Sequence, residues 1–238
     1  MSWIQGKTIL VTGGSRGIGQ ATAVHFRDAG AKVTITGTAA SADNYKDEDL
    51  AGMTYVQCRM DQPDEIEALA TRFDTLDVLV NNAGGGQPNE YDIDQFDKVL
   101  EVNLSSVMRL STLLKEKLQA SGGSIVNVGS LSSHLALKEV PAYTASKSAV
   151  WGLTRALADK WAPDGVRVNM VAPGFIETRL TEPLRNNERG AAKMLRAIPM
   201  QRFGDPSEVA TCIAFLASPD ASYVTGVSLA MDGGLMLR

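Results

Sequence analysis

A short apolar run, Thr8-Ile9-Leu10-Val11, stops at Thr12-Gly13-Gly14-Ser15-Arg16-Gly17-Ile18-Gly19. A helical pattern then continues to about Ala29, where Gly30 stands as a C-terminal glycine. The β-favouring run with no polar alternation suits a strand buried on both faces, as in a parallel sheet covered by helices. The glycines between strand and helix let backbone approach a phosphate closely. The helix behind them offers free N–H groups and a partial positive charge. The spacing G-x-x-x-G-x-G, directly after a strand, reads as the phosphate turn of a dinucleotide-binding unit.

The same alternation repeats along the chain. Lys32–Thr36 is a second strand, ending at Gly37-Thr38. Dinucleotide folds read the adenosine ribose at this point, and a carboxylate here would repel a 2′-phosphate. Gly37 and Thr38 carry no charge, and Arg16 could pair with a phosphate, so NADP is favoured over NAD. Residues 39–52 are polar and acidic and read as a surface loop with room for a short helix. Thr54–Cys58 is a third strand, and Pro63 with early acids starts a short helix ending near Asp74. Val78–Val80 is a fourth strand. It runs into Asn81-Asn82-Ala83-Gly84-Gly85-Gly86, a small-residue turn at a strand's carboxyl end, where ligands of doubly wound sheets bind.

A long helix is expected from Asp94 to about Ala120, with Asn103 as a buried amide in its apolar middle. Ser124–Val128 is a fifth strand delivering Gly129-Ser130 to the same edge, and Pro141 opens a helix reaching about Trp161. Val166–Val171 is a sixth strand ending in Ala172-Pro173-Gly174. Residues 175–200 are charged, loop-like and long enough to act as a lid. A last helix from Asp205-Pro206 to about Ala217 and a seventh strand, Val227–Met231, complete the pattern. No linker or repeat interrupts it. The expectation is one Rossmann-type, doubly wound parallel α/β domain of about seven strands over residues 1–238.

Tyr143-Thr144-Ala145-Ser146-Lys147 lies on the expected fifth-strand crossover helix. Positions i and i+4 share a helix face, so a phenol and an ammonium lie side by side. Tyrosine ordinarily loses its proton near pH ~10, and a cation within ~4–6 Å favours the phenolate. The expectation is that Lys147 pulls Tyr143 down into a range where it exchanges protons with a substrate oxygen.

Composition closes off other classes. The 238 residues are 44% hydrophobic and 21% charged, with net charge −4, so the chain has no electrostatic footprint for nucleic acid or an anionic membrane. No run of about 18 apolar residues exists to span a bilayer. The start of the chain lacks a secretory signal, and Cys58 and Cys212 show no metal spacing, which suits reduced thiols in the cytoplasm.

In order and spacing, Thr12-Gly13-x-x-x-Gly17-x-Gly19, Asn81-Asn82-Ala83-Gly84, Asn103, Ser130, Tyr143-x-x-x-Lys147 and Pro173-Gly174 with Thr178 make the whole chain resemble the short-chain dehydrogenase/reductase family. The resemblance leans toward its 3-oxoacyl-[acyl-carrier-protein] reductase-like members. It implies that Tyr143 is the general acid or base, that Lys147 tunes it and holds the nicotinamide ribose, and that Ser130 steadies the substrate oxygen. Asn103 would brace its helix and position a relay water. Gly13, Ser15, Gly17, Ile18 and Gly19 would line the pyrophosphate, with Arg16 of the same turn toward the 2′-phosphate; Thr38, Met60, Asn82, Ala83 and Gly84 would line the adenosine side. Pro173, Gly174, Ile176 and Thr178 would fix the nicotinamide. No metal is implied, and a homotetramer is. Two places depart from the carrier-protein reductases. Ser121 and Asp164 stand where carrier-gripping arginines are expected, and an acidic carrier does not favour Asp164. Arg59 replaces an adenine-side aspartate. His134 lies near the expected pocket and reads as a solvated loop side chain. The leading expectation is an NADP-dependent ketone/secondary-alcohol oxidoreductase acting on a small molecule. A 3-oxoacyl-[acyl-carrier-protein] reductase is the alternative, and a non-catalytic cofactor-binding regulator a distant third.

Overall fold

A computed structural model describes residues 2–237. Seven parallel strands form one sheet: β1 (Thr8–Val11), β2 (Lys32–Gly37), β3 (Thr54–Gln57), β4 (Val78–Asn81), β5 (Ser124–Val128), β6 (Arg167–Pro173) and β7 (Ser228–Met231). Their spatial order is β3-β2-β1-β4-β5-β6-β7. The order reverses between β1 and β4, so the turns after these strands open side by side at the sheet's carboxyl edge. The expected doubly wound sheet is therefore present.

Burial follows the strand pattern. β4 and β5 are buried at every position, and two apolar clusters cover the two faces of the sheet. One cluster packs α2 (Pro63–Ala70), α4 (Ser106–Ser121) and α5 (Pro141–Trp161) through residues such as Ile66, Leu110, Leu114 and Leu157. The other packs α1 (Gly17–Asp28) and α8 (Pro206–Ala217) through Phe26, Val209 and Ile213. A polar seam also crosses the first face. Asn81 Nδ2 donates to Asn127 Oδ1 (2.9 Å) and Ser111 Oγ (3.1 Å), and Asn127 Nδ2 donates to Thr154 Oγ1 (2.9 Å). It ties β4, β5, α4 and α5 in one register.

Three expected elements differ. The long helix after Asp94 is two helices, α3 (Ile93–Leu100), capped by the Asp92 carboxylate, and α4, joined by a π-helical turn over Glu101–Ser105. The cause is Asn103: its amide reaches sideways to both backbone groups of Gly85, and the wider turn lets it do so. α2 ends at Ala70, not near Asp74, because Thr71 Oγ1 takes the Ala68 carbonyl and Arg72 N–H takes Leu69. The 175–200 segment is not loop-like throughout. It holds α6 (Glu182–Arg185) and α7 (Glu188–Ala197), the latter capped by Asn187 Oδ1 on Gly190 N–H. Among the described residues no helix is long and apolar enough to cross a membrane.

Candidate active site

The turns after β1 and β4 are clipped together by side chains. Thr12 Oγ1 accepts the N–H groups of Asn82 (2.9 Å) and Ala83 (3.0 Å), and Asn82 Nδ2 donates to the carbonyls of Thr12 and Gly13. Gly19 sits beneath this clip. A Cβ there would come within 2.3 Å of the Gly13 carbonyl oxygen and 2.4 Å of Asn82 Nδ2, so the first turn of α1 can approach only without a side chain. The N-cap of α1, Arg16, makes no side-chain capping bond, and Gly17 and Ile18 of that first turn line an adjoining cleft of about 340 Å³. A glycine turn leading to an uncapped helix N-terminus at a cleft fits the pyrophosphate of a dinucleotide.

The same cleft is bordered by Asn82, Ala83 and Gly84, by Ser130, Tyr143 and Lys147, and by Pro173, Gly174, Ile176 and Thr178. A second cavity of about 450 Å³ shares Gly13, Arg16, Ala83 and Gly84 with it and adds Ser15, Thr38 and Met60. The expected site residues thus converge on one continuous groove. Two of them do not line it: Gly19, under the clip, and Asn103, which is fully buried. Asn103 accepts from Gly85 N–H (3.0 Å) and donates to Gly85 C=O (3.0 Å) and Ser146 Oγ (2.9 Å). It braces α3–α4 against the β4 turn and α5.

Tyr143 and Lys147 are neighbours, with Nζ 5.7 Å from the ring centroid. Lys147 is buried and donates to the Val128 carbonyl (2.8 Å). Burial pushes its ammonium down to about 8. The expected sign at the phenol is not found. Burial raises Tyr143; a hydrogen bond with the Ser130 side chain opposes that, and the carboxylate of Glu90 adds to the rise. Ser130 Oγ also accepts from Ser132 N–H (3.1 Å), which fixes its orientation. A protonated phenol beside a serine hydroxyl, over an ammonium held by a strand-end carbonyl, can donate a proton to a carbonyl oxygen placed against both hydroxyls.

The adenosine side holds further differences. Arg16 is exposed but not unpartnered: its guanidinium lies 4.9 Å from the Tyr45 ring centroid and 3.8 Å from Glu48. Both partners come from the 39–52 segment, which folds over the groove and is not merely a surface loop. Tyr45 and Tyr55 also fill the space beside Gly37, where a Cβ would lie 2.5 Å from the Tyr45 hydroxyl. Arg59 turns to Glu65 through its N–H, Nε and guanidinium, while buried Met60 lines the second cavity. His134 Nε2 lies 3.1 Å from Ser228 Oγ. Asp164 pairs with Lys115 at 2.8 Å. Sequence reasoning missed Glu90, Tyr45, Glu48 and the Val128 carbonyl. An aromatic within an acidic loop was the one available signal, at Tyr45; the others lie outside any motif.

Comparison with known proteins agrees with this geometry. The model of a family described as Enoyl-(Acyl carrier protein) reductase matches residues 12–236. The 3-oxoacyl-[acyl-carrier-protein] reductase FabG of Vibrio cholerae is 39% identical over 246 residues, covering 98% of this chain and 99% of that protein. The 2-dehydro-3-deoxy-D-gluconate 5-dehydrogenase of Bacillus subtilis is 37% identical over 245 residues, covering 99% and 96%. The structure of the Pseudomonas aeruginosa RhlG/NADP active-site complex superimposes with a TM-score of 0.89 at 30% identity, covering 99% of each chain. With sheet order, glycine turn and relatives in agreement, the chain belongs to the short-chain dehydrogenase/reductase family, whose oxidoreductases interconvert CH–OH and C=O groups.

Proposed function

We propose that this chain is an NADP-dependent oxidoreductase that interconverts a ketone and a secondary alcohol, with Tyr143 as general acid and base. The observation that carries this reading is the meeting of Ser130, Tyr143 and Lys147 in the groove that also contains the glycine turn. When bound, the nicotinamide cofactor supplies the hydride that goes to the carbonyl carbon. Tyr143 gives its hydroxyl proton to the carbonyl oxygen, so that ketone, hydride and proton sum to the alcohol; oxidation runs the same transfers backward. Ser130 donates to the oxygen as charge develops there. Lys147 holds the nicotinamide ribose hydroxyls, and Asn103 braces the turn beside it. Gly13, Ser15, Arg16, Gly17, Ile18 and Gly19 form the pyrophosphate turn, with Thr38, Met60, Asn82, Ala83 and Gly84 on the adenosine side. Pro173, Gly174, Ile176 and Thr178 fix the nicotinamide.

NADP is preferred because no carboxylate follows β2 at Gly37-Thr38, and Arg16 lies beside that position in the second cavity. The NADP held by the RhlG structure is consistent with this. A carrier-protein thioester is the second reading, favoured by the 39% identity to FabG. Against it, Asp164, paired to Lys115, puts a carboxylate where an acidic carrier would need a cation. A free small-molecule substrate is therefore preferred. The reading includes a single catalytic domain over residues 1–238, a substrate lid over 175–200, and a homotetramer in the cytoplasm.

NADPH oxidation measured with a panel of free ketones and with acetoacetyl thioesters tests both readings. Tyr143→Phe is expected to cut turnover by about 10²–10⁴-fold while NADPH still binds. Turnover near wild type would remove Tyr143 from the acid role.

A further inference from the structure

Glu90 is a carboxylate in an unusual place. It is 1% exposed, yet among the described residues no lysine, arginine or histidine pairs with it. An ionisable side chain buried without a counter-charge is costly and calls for a reason. Its two oxygens are used separately. Oε2 accepts the N–H of Tyr143 at 2.9 Å, and Oε1 accepts the N–H of Gln87 at 3.0 Å. The Tyr143 N–H is one of the free donors in the first turn of α5, whose N-cap, Val140, has no side chain to offer it. The surrounding turn is built around this carboxylate. Asn89 adopts a left-handed conformation at φ 58°, and a Cβ on Gly86 would lie 2.7 Å from Oε1 and 4.0 Å from Tyr143 Cβ.

We propose that Glu90 is a positioning residue for Tyr143: it locks the first turn of α5 to the loop after β4 and sets a carboxylate against the backbone of the tyrosine. This rests on Tyr143 being the acid and base. A carboxylate on a helix N-terminus is favoured by the dipole, which offsets part of its burial. Burial is the main force that opposes ionisation of the phenol, and the charge of Glu90 adds to it in keeping the proton that reduction requires. The other groups around Tyr143 do not duplicate this. On α5 itself there is Lys147, and after β5 there is neutral Ser130. α3 and the π-helical turn pack on α5 with Asp94, Asp97 and Lys98 exposed, Glu101 partly exposed and Asn103 neutral. His134, Lys138 and Glu139 in the loop before α5 are exposed, as is Arg179 across the cleft. A purely structural cap would need an acceptor but no charge, and that difference can be measured.

The test is tyrosinate absorbance near 295 nm titrated in wild type and Tyr143→Phe, whose difference isolates Tyr143. The same pair is then titrated in a Glu90→Gln background. Loss of the charge is expected to lower the Tyr143 midpoint by roughly half to one pH unit. Glu90→Ser, a second neutral variant that leaves room for water, guards against a misfolded amide variant and must move the midpoint the same way. An unchanged or raised midpoint in a folded neutral variant would overturn the proposal. The titration uses no substrate, so it is read separately from the Tyr143→Phe turnover test; active Tyr143→Phe would remove the catalytic reading and leave the Glu90 coupling to stand on absorbance alone.

Discussion

Lys147 should weaken the fold it sits in, and the size of that effect follows from its surroundings. Its ammonium is buried at 5% exposure, with the Val128 carbonyl as its hydrogen-bond acceptor, and burial lowers its pKa from 10.5 to about 8. Each pKa unit is 1.36 kcal/mol, so keeping the proton costs the folded state about 3 kcal/mol at pH 7. The sign is fixed by proton counts. Below pH 8 both folded and unfolded chains hold the proton, and the full penalty applies. Between about 8 and 10.5 the unfolded chain binds more protons than the folded one, so stability rises with pH and the penalty fades. Lys147→Met removes the titration and keeps the apolar stem. It also leaves the Val128 carbonyl unpaired, a cost of about 1–3 kcal/mol that does not depend on pH. The test therefore lies in the slope. Urea unfolding of both proteins at equal concentration, at pH 7 and pH 10, should show the stability of wild type relative to Lys147→Met rising by about 2–3 kcal/mol. A gap that stays constant, or moves the other way, would refute the assignment of a burial penalty to this ammonium. Turnover of the variant should be lost at both pH values.

Arg16→Ala should weaken NADPH binding by about 10–100-fold, the worth of a charge-assisted phosphate contact, and NADH binding far less; fluorescence titration of both cofactors reads the difference. Equal losses would assign Arg16 to the shared pyrophosphate instead. Asn127→Ala should cost about 2 kcal/mol or more in urea unfolding, because it removes two buried hydrogen bonds and leaves Asn81 Nδ2 with Ser111 Oγ as its one remaining acceptor; a loss under about 0.5 kcal/mol would mean the buried seam is replaceable.

The sheet was readable because its strands are buried on both faces and each ends at a glycine or small-residue turn. Thr8–Val11 needs helices on either side, and Thr12-Gly13 and Asn82-Ala83 clip to each other through groups that the motif itself contains. What was not readable depends on contacts far apart in sequence. Periodicity carries an unbroken helix through Asn103, and only Gly85, eighteen residues away, explains the π-helical turn. Arg16 looks free until the 39–52 segment brings Tyr45 and Glu48 onto it. Residues 175–200 have a polar composition that hides α6 and α7, since neither buries a residue fully.

The error at Tyr143 has a physical lesson. Helical spacing placed the lysine correctly beside the phenol, but the rule that a cation lowers a phenol leaves out the cost of desolvating the phenolate, which here is the larger effect. Here both are desolvated. The ammonium is committed to Val128 and reaches the ring side, 5.7 Å from its centroid, while its own proton is already weakened to about 8. Glu90 stands on the opposite side of the balance, bonded to the amide of the same tyrosine. The phenol thus favours its protonated form chiefly because it is buried, and the groups around it come from three places: the β4 loop, the β5 turn and α5. A Tyr-x-x-x-Lys pair fixes only the last of these. The direction of the tuning is set first by burial, with the loop carboxylate adding to it and the serine opposing it, and the pair itself encodes none of these.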